Sequence, residues 1–147
     1  MTVYAENRKA RFDYEILETL EAGIELLGFE VKSIRTGRAQ LAGTFATIQS
    51  GELWLLNATI SPYQAGNVPA DYDPARSRRL LLKRREIEYL AGKMQSEKLT
   101  IVPLKLYNKG GLVKLELGVA RGKKKYDKRE TIKKREVERE IGRTLKR

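Results

Sequence analysis

The sequence predicts a mainly β fold with short helices, closed into a small barrel and followed by a basic C-terminal tail. Three observations predict it: a long stretch of period-2 alternation early in the chain, two strand pairs joined by glycine-containing turns, and an abrupt change of charge near residue 121.

The alternation runs from Phe12 to Leu27. Even positions carry Phe12, Tyr14, Ile16, Glu18, Leu20, Ala22, Ile24 and Leu26, and odd positions carry Asp13, Glu15, Leu17, Thr19, Glu21, Gly23, Glu25 and Leu27, so the alternation holds at most positions. Side chains two apart share one face of a strand, so this stretch is a strand with one buried side. Gly23 in its second half predicts a bulge or sharp bend, as barrels need. Leu27, Val31 and Ile34 predict a short helix closed by Gly37. Thr44 to Ile60 predicts two strands around Ser50-Gly51, and Leu99 to Val119 predicts a hairpin turning at Asn108-Lys109-Gly110-Gly111. Pro103 has no N–H to give a ladder, so an edge or bulge is expected there. Between the hairpins, Asp73 as N-cap and Pro74 at the first position predict a helix with Leu80, Ile87, Leu90, Ala91 and Met94 on its apolar face. Arg78, Arg79, Lys83, Arg84 and Arg85 would crowd the positive end of that helix, an arrangement an external anion would relieve. About six strands and two helices fit an OB-like closed barrel, an architecture that commonly offers strands and loops to nucleic acid.

Composition removes most enzymatic readings. The 147 residues suit one domain and an appendage, and they include neither cysteine nor histidine. Disulfides, thiolate metal sites and histidine-dependent acid–base chemistry are therefore excluded. Zinc would need an all-carboxylate shell, which it rarely uses. No P-loop or GxGxxG is present, and Gly110-Gly111 is a turn signal. Asp71 and Asp73 lie two apart in a proline-flanked loop and offer a magnesium-dependent nuclease its one foothold, although loop and capping roles account for them. The expectation is a protein without catalytic activity or cofactor. MTVYAENRKARF carries no apolar stretch, so no signal peptide or membrane span is expected, and the localisation expected is cytoplasmic.

Charge points to the partner. Lys and Arg number 30 against 19 Asp and Glu, a net of +11, which suits a polyanion. From Arg121 to Arg147 there are 13 basic and 5 acidic residues, leaving 17 and 14 in the preceding 120. A body (1–121) and a tail (122–147) are expected from this shift. In the tail Ile132, Val137, Ile141 and Leu145 make one narrow helical stripe, and i,i+4 like-charge pairs such as Arg135 with Arg139 oppose the favourable Glu130–Lys134 pair. The balance predicts a segment largely disordered alone and helical on a polyanion.

The run Gly122-Lys123-Lys124-Lys125-Tyr126-Asp127-Lys128-Arg129, continuing through Ile132-Lys133-Lys134-Arg135-Glu136, resembles the signature of the small protein B family, the tmRNA-binding (SsrA-binding) proteins of bacterial trans-translation. Asn7-Arg8-Lys9-Ala10, Glu21-Ala22-Gly23, Glu30-Val31-Lys32-Ser33, Arg79-Leu80-Leu81-Leu82 after Asp73-Pro74, and Gly118-Val119-Ala120 extend the resemblance along the whole chain. It implies an OB-type barrel that holds the tRNA-like part of tmRNA. It also implies a tail that enters the empty mRNA channel and decoding centre of a stalled ribosome, helping to deliver alanyl-tmRNA with elongation factor Tu. By motif, Asn7, Glu21, Leu81 and Lys114 match the tmRNA-binding surface. Lys123, Lys124, Tyr126, Asp127, Lys128, Arg129, Lys133, Lys134 and Arg135 match the ribosome-binding tail. Many relatives have His where Tyr126 stands; a tyrosine can stack on a base but carries no positive charge near neutral pH. Val137 is likewise smaller than the aromatic residue of some relatives. Two other readings are a structural ribosomal protein with a basic extension and the nuclease above.

Overall fold

The computed structural model describes residues 2–63, 66 and 68–123. The expectations for the tail beyond Lys123 lie outside the described residues. Along the chain run β1 (Val3–Glu6), α1 (Arg8–Asp13), β2 (Tyr14–Ile24), α2 (Gly28–Arg35), β3 (Ala39–Gln40), β4 (Phe45–Gln49), β5 (Glu52–Leu56), β6 (Thr59–Ile60), β7 (Arg78–Leu81), α3 (Arg84–Ser96), β8 (Thr100–Lys109) and β9 (Leu112–Gly122). The main sheet has the order β1-β8-β4-β5-β7-β2-β9, and β9 pairs again with β8, so it closes into a ring with β1 attached to β8. Every pairing is antiparallel. A second small sheet joins β3 to β6. The fold is mainly β with few short helices, and no helix among the described residues is long and apolar enough to cross a membrane.

The two glycine turns lie where the sequence places them. Gln49 pairs with Glu52 and Lys109 with Leu112, leaving two-residue loops. Ser50, Gly51, Gly110 and Gly111 all have positive φ, the type I′ geometry whose twist matches the flanking strands. The register of β8 against β9 shifts between Pro103 and Lys105, the bulge expected from Pro103. In β2 the irregularity falls between Ile16 and Glu18, not at Gly23. There the inward alternation changes sides. Leu20, Ala22 and Ile24 face the main core, whereas Tyr14 and Ile16 pack outside the ring on Ala10, Val102, Leu104 and Ala120 under α1. Gly23 has a different cause: a Cβ there would stand 3.1 Å from Leu81 Cβ on the neighbouring strand.

The segment from Asp73 departs from expectation. The helix begins at Arg84, not at Pro74, and Arg78–Leu81 is a strand inserted between β5 and β2. Asp73 instead shapes a turn, its carboxylate accepting the Ala75 N–H at 3.0 Å. Leu80 is thus a ring-core residue, opposite Ile24 and Leu53. α3 does bury Ile87 and Leu90, and Met94 packs against the same core.

Arg78, read from the sequence as part of a basic helix face, is fully buried. It lies on the inward side of β7 with Leu80. Its guanidinium donates to Glu30 (2.7 and 2.9 Å) and to the carbonyls of Ala58 (2.7 Å), Arg76 (3.0 Å) and Pro74 (2.9 Å). Glu30, equally buried, also accepts from Arg76 and from the Leu27 N–H at 2.8 Å. Tyr72 Oη lies 2.9 Å from both Glu30 and the Ile60 carbonyl and accepts from Arg78 at 3.1 Å. Burial pushes the Glu30 carboxyl up, but the Arg76, Leu27 and Arg78 donors outweigh it and hold the group below the usual carboxylate range. This network ties α2 to the segment before β7.

Candidate nucleic-acid interface

Directly opposed residues of an antiparallel pair project from the same side of a sheet. Leu81 opposes Gly23, Gly23 opposes Lys114, and Lys114 opposes Tyr107. One row therefore crosses four strands, β7-β2-β9-β8, on the outside of the ring. Next to it, Glu21 opposes Glu116, which opposes Lys105. Because Gly23 has no side chain, Leu81 leans over β2, and 46% of it remains exposed.

Glu21 is held from two sides. The Tyr107 hydroxyl donates to it over β9, and Lys109 Nζ lies 3.2 Å from both carboxylate oxygens. These donors, Tyr107 first, hold the Glu21 carboxyl below the usual range, with Lys109 and Lys114 adding Coulombic attraction. Tyr107 shifts upward through its burial and the Glu21 charge. Lys105 stands over the Tyr107 ring at 5.6 Å and 3.7 Å from Glu116, which Arg11 of α1 also reaches at 3.4 Å. Lys114 makes no ion pair within 4.0 Å among the described residues.

The row ends in a cleft of about 260 Å³ between α2, β7 and the β8–β9 turn. Gly23, Leu26, Val31, Leu81 and Leu112 line it, with Arg35 at the side donating to the Gly111 carbonyl at 2.9 Å. Leu112 is 61% exposed. The apolar walls thus stand between the held Glu21 carboxylate and several cations.

The structure brings Glu21, Leu81 and Lys114 together. Asn7 is elsewhere: it is buried, caps α1 by accepting the Ala10 N–H at 3.1 Å, and donates Nδ2 to the Pro103 carbonyl at 2.8 Å, beside the β8 bulge. It thereby positions the helix that carries Arg11. Lys123 lies where the chain leaves the ring, its N–H on the Asp13 carbonyl at 2.9 Å and its Nζ 3.3 Å from the Arg11 carbonyl. Lys124, Tyr126, Asp127, Lys128, Arg129, Lys133, Lys134 and Arg135 lie outside the described residues. Sequence reasoning missed Tyr107, Lys109, Arg11, Lys105 and Arg35 as members of this face. For Lys105, Tyr107 and Lys109 the signal was outward placement in the alternation of β8; Arg11 and Arg35 lie on α1 and α2 and had none. Among the described residues no group of three or more acidic side chains is placed to hold a metal ion.

A closed sheet that displays carboxylates held among cations, beside an apolar cleft on its outer wall, defines a small binding protein that works through a face. The family is specific: the chain belongs to the SmpB protein family, whose profile matches residues 4–147. It is 58% identical over 145 residues to an SsrA-binding protein of Gloeobacter violaceus, covering 99% of this chain and 95% of the relative. It is 54% identical over 144 residues to an SsrA-binding protein of Thermosynechococcus vestitus, covering 98% and 95%. A solved structure described as "tmRNA-SmpB: a journey to the center of the bacterial ribosome" superposes with a TM-score of 0.66 at 53% identity, over 82% of this chain and 84% of the other.

Proposed function

We propose that this protein is a tmRNA-binding adaptor of bacterial trans-translation, cytoplasmic and without catalytic activity. The ring is an OB-like barrel that binds the tRNA-like domain of tmRNA. The tail enters the empty mRNA channel and decoding centre of a stalled ribosome. Elongation factor Tu is engaged indirectly, through alanyl-tmRNA.

The observation that carries this reading is the continuous row Leu81-Gly23-Lys114-Tyr107 beside the anchored Glu21. Glu21 accepts hydrogen bonds from base or sugar, Lys114 and Arg11 meet phosphate, and Leu81 makes apolar contact with a base. Asn7 acts from beneath by fixing α1. Lys123, Lys124, Lys128, Arg129, Lys133, Lys134 and Arg135 meet ribosomal RNA phosphate, Asp127 orients its basic neighbours, and Tyr126 stacks.

Leu81→Glu tests the body's role. The side chain is exposed, so the fold tolerates the change, while the new charge faces the RNA. Titration with fluorescent tmRNA should show affinity falling at least about tenfold, roughly 1.4 kcal/mol. Unchanged affinity in a folded variant would place the tmRNA site on another surface.

A further inference from the structure

α2 carries a cationic edge that the proposed function leaves unused. Lys32 and Arg35 are exposed and stand three apart, on one side of the helix. Arg38 follows directly after Gly37, whose positive φ of 79° lets the chain turn out of the helix. Arg38 is held in place. Its N–H donates to the Ser33 carbonyl at 3.0 Å, and its own carbonyl accepts the Ser61 N–H at 3.1 Å. Its guanidinium lies 5.7 Å from the centre of the exposed Tyr63 ring. Cations in a last turn complement the helix dipole, which accounts for Lys32 and Arg35. It accounts neither for Arg38, beyond the helix, nor for the sequence around all three. Residues 31–51 contain no Asp or Glu, where the chain's average would place two or three.

The acidic groups packed near α2 do not cover this edge. Glu30 is buried and engaged by Arg76 and Arg78. Asp71 and Asp73 belong to the segment that packs on α2 through Tyr72, whose ring meets Phe29 edge-on at 4.7 Å. Asp73 is occupied with the Ala75 N–H. Among the described residues Lys32, Arg35 and Arg38 form no ion pair within 4.0 Å. Arg35 joins the edge to the face already described, because it also lines the cleft beside Leu81 and Lys114.

We propose that Lys32, Arg35 and Arg38, with Tyr63, form a site for an RNA strand that continues the Glu21 face across α2. The site rests on the proposed function: the strand belongs to the RNA whose nucleotides meet Glu21, Leu81 and Lys114. Its phosphates follow the three cations, and a base of the strand stacks on the Tyr63 ring beside the Arg38 guanidinium. Phosphate contacts carry no sequence information directly, so the edge fixes how the RNA lies on the ring.

The test combines Lys32→Gln, Arg35→Gln and Arg38→Gln in the full chain. A control removes the same charge elsewhere, with Arg84→Gln, Arg85→Gln and Lys98→Gln. Fluorescent tmRNA is titrated with each across a salt series. The slope of log affinity against log salt should shrink by about 2 in the edge variant, at roughly 0.7 per phosphate on a single strand. It should stay unchanged in the control. An unchanged slope in the edge variant would overturn the proposal, and so would an equal loss in the control, which would make net charge the cause. Tyr63→Leu should weaken binding at least about fivefold with the slope kept, the effect of one lost stack. A second measurement keeps every cation. The chain has no cysteine, so Gln40→Cys accepts a tethered iron chelate that cuts nearby RNA with hydroxyl radicals. Cuts in tmRNA should adjoin those made from Leu112→Cys in the cleft, and cuts from Leu112 alone would overturn the proposal. If neither Leu81→Glu nor Lys114→Gln changes tmRNA affinity, the proposed function fails. If those two act and the edge variant does not, only this inference fails.

Discussion

The Tyr107 hydroxyl donates to the Glu21 carboxylate although their strands, β8 and β2, are not neighbours; β9 lies between them. The bond spans the outer face of the ring and fixes the Glu21 carboxylate among its cations. Pre-orienting an acceptor in this way lowers the ordering cost of meeting RNA.

Removing that donor should be measurable without RNA. In Tyr107→Phe the Glu21 carboxyl loses the leading cause of its lowered pKa, and the value should move up towards the ordinary 4.5, read by carboxyl-carbon NMR titration. Binding that uses the ionised carboxylate is lost as pH falls through the Glu21 pKa. The variant should therefore lose tmRNA affinity at a higher pH than the parent.

Lys114→Gln should weaken tmRNA binding and reduce the slope of log affinity against log salt by about 1, the signature of one lost phosphate contact. Affinity measured across a salt series checks it, and an unchanged slope would show that Lys114 meets no phosphate.

The Glu30–Arg78 pair predicts a large effect on stability. Arg78→Met leaves a buried carboxylate with Arg76 as its remaining guanidinium partner and should cost about 3–5 kcal/mol in urea denaturation. Adding Glu30→Gln should recover part of that loss, since the two residues are coupled. The lowered Glu30 pKa gives the sign with pH: its contribution is present above the unfolded value, near 4.5, and disappears as pH falls through the folded value. The acid loss of stability should be shallower in Glu30→Gln than in the parent.

Gly23→Ala puts a methyl 3.1 Å from Leu81 Cβ, so Leu81 must give by a few tenths of an ångström. Overpacking of this kind should cost about 1–3 kcal/mol. Leu81 would be pushed out of line, so tmRNA affinity should fall as well. Thermal unfolding and the same RNA titration read the two effects separately.

Much of this was legible in the sequence. The alternation of β2, both glycine turns and the Pro103 bulge are local signals, and local signals survive folding. The segment around Asp73-Pro74 was misread because a helix start and a turn use the same residues. β7 has only four residues, and its partners Leu53–Leu55 and Gly23–Ile24 are distant in sequence, so no local pattern marks it. Arg78 shares the inward side of Leu80, and period 2 would have shown it, but its partner Glu30 lies 48 residues away. Glu21, Leu81 and Lys114 came from family resemblance; only strand register reveals that they form one face, completed by Tyr107.

In the proposed function the ring binds tmRNA and the tail acts on the ribosome. A chain ended after Lys123 tests it most directly, because that cut spares β9 and the Lys123–Asp13 bond. The measurement is tmRNA affinity set beside tagging of stalled peptides. Affinity should stay within about threefold of the full chain, under roughly 0.7 kcal/mol, and tagging should be absent. Loss of tmRNA binding in a folded truncation, or full tagging without the tail, would contradict it.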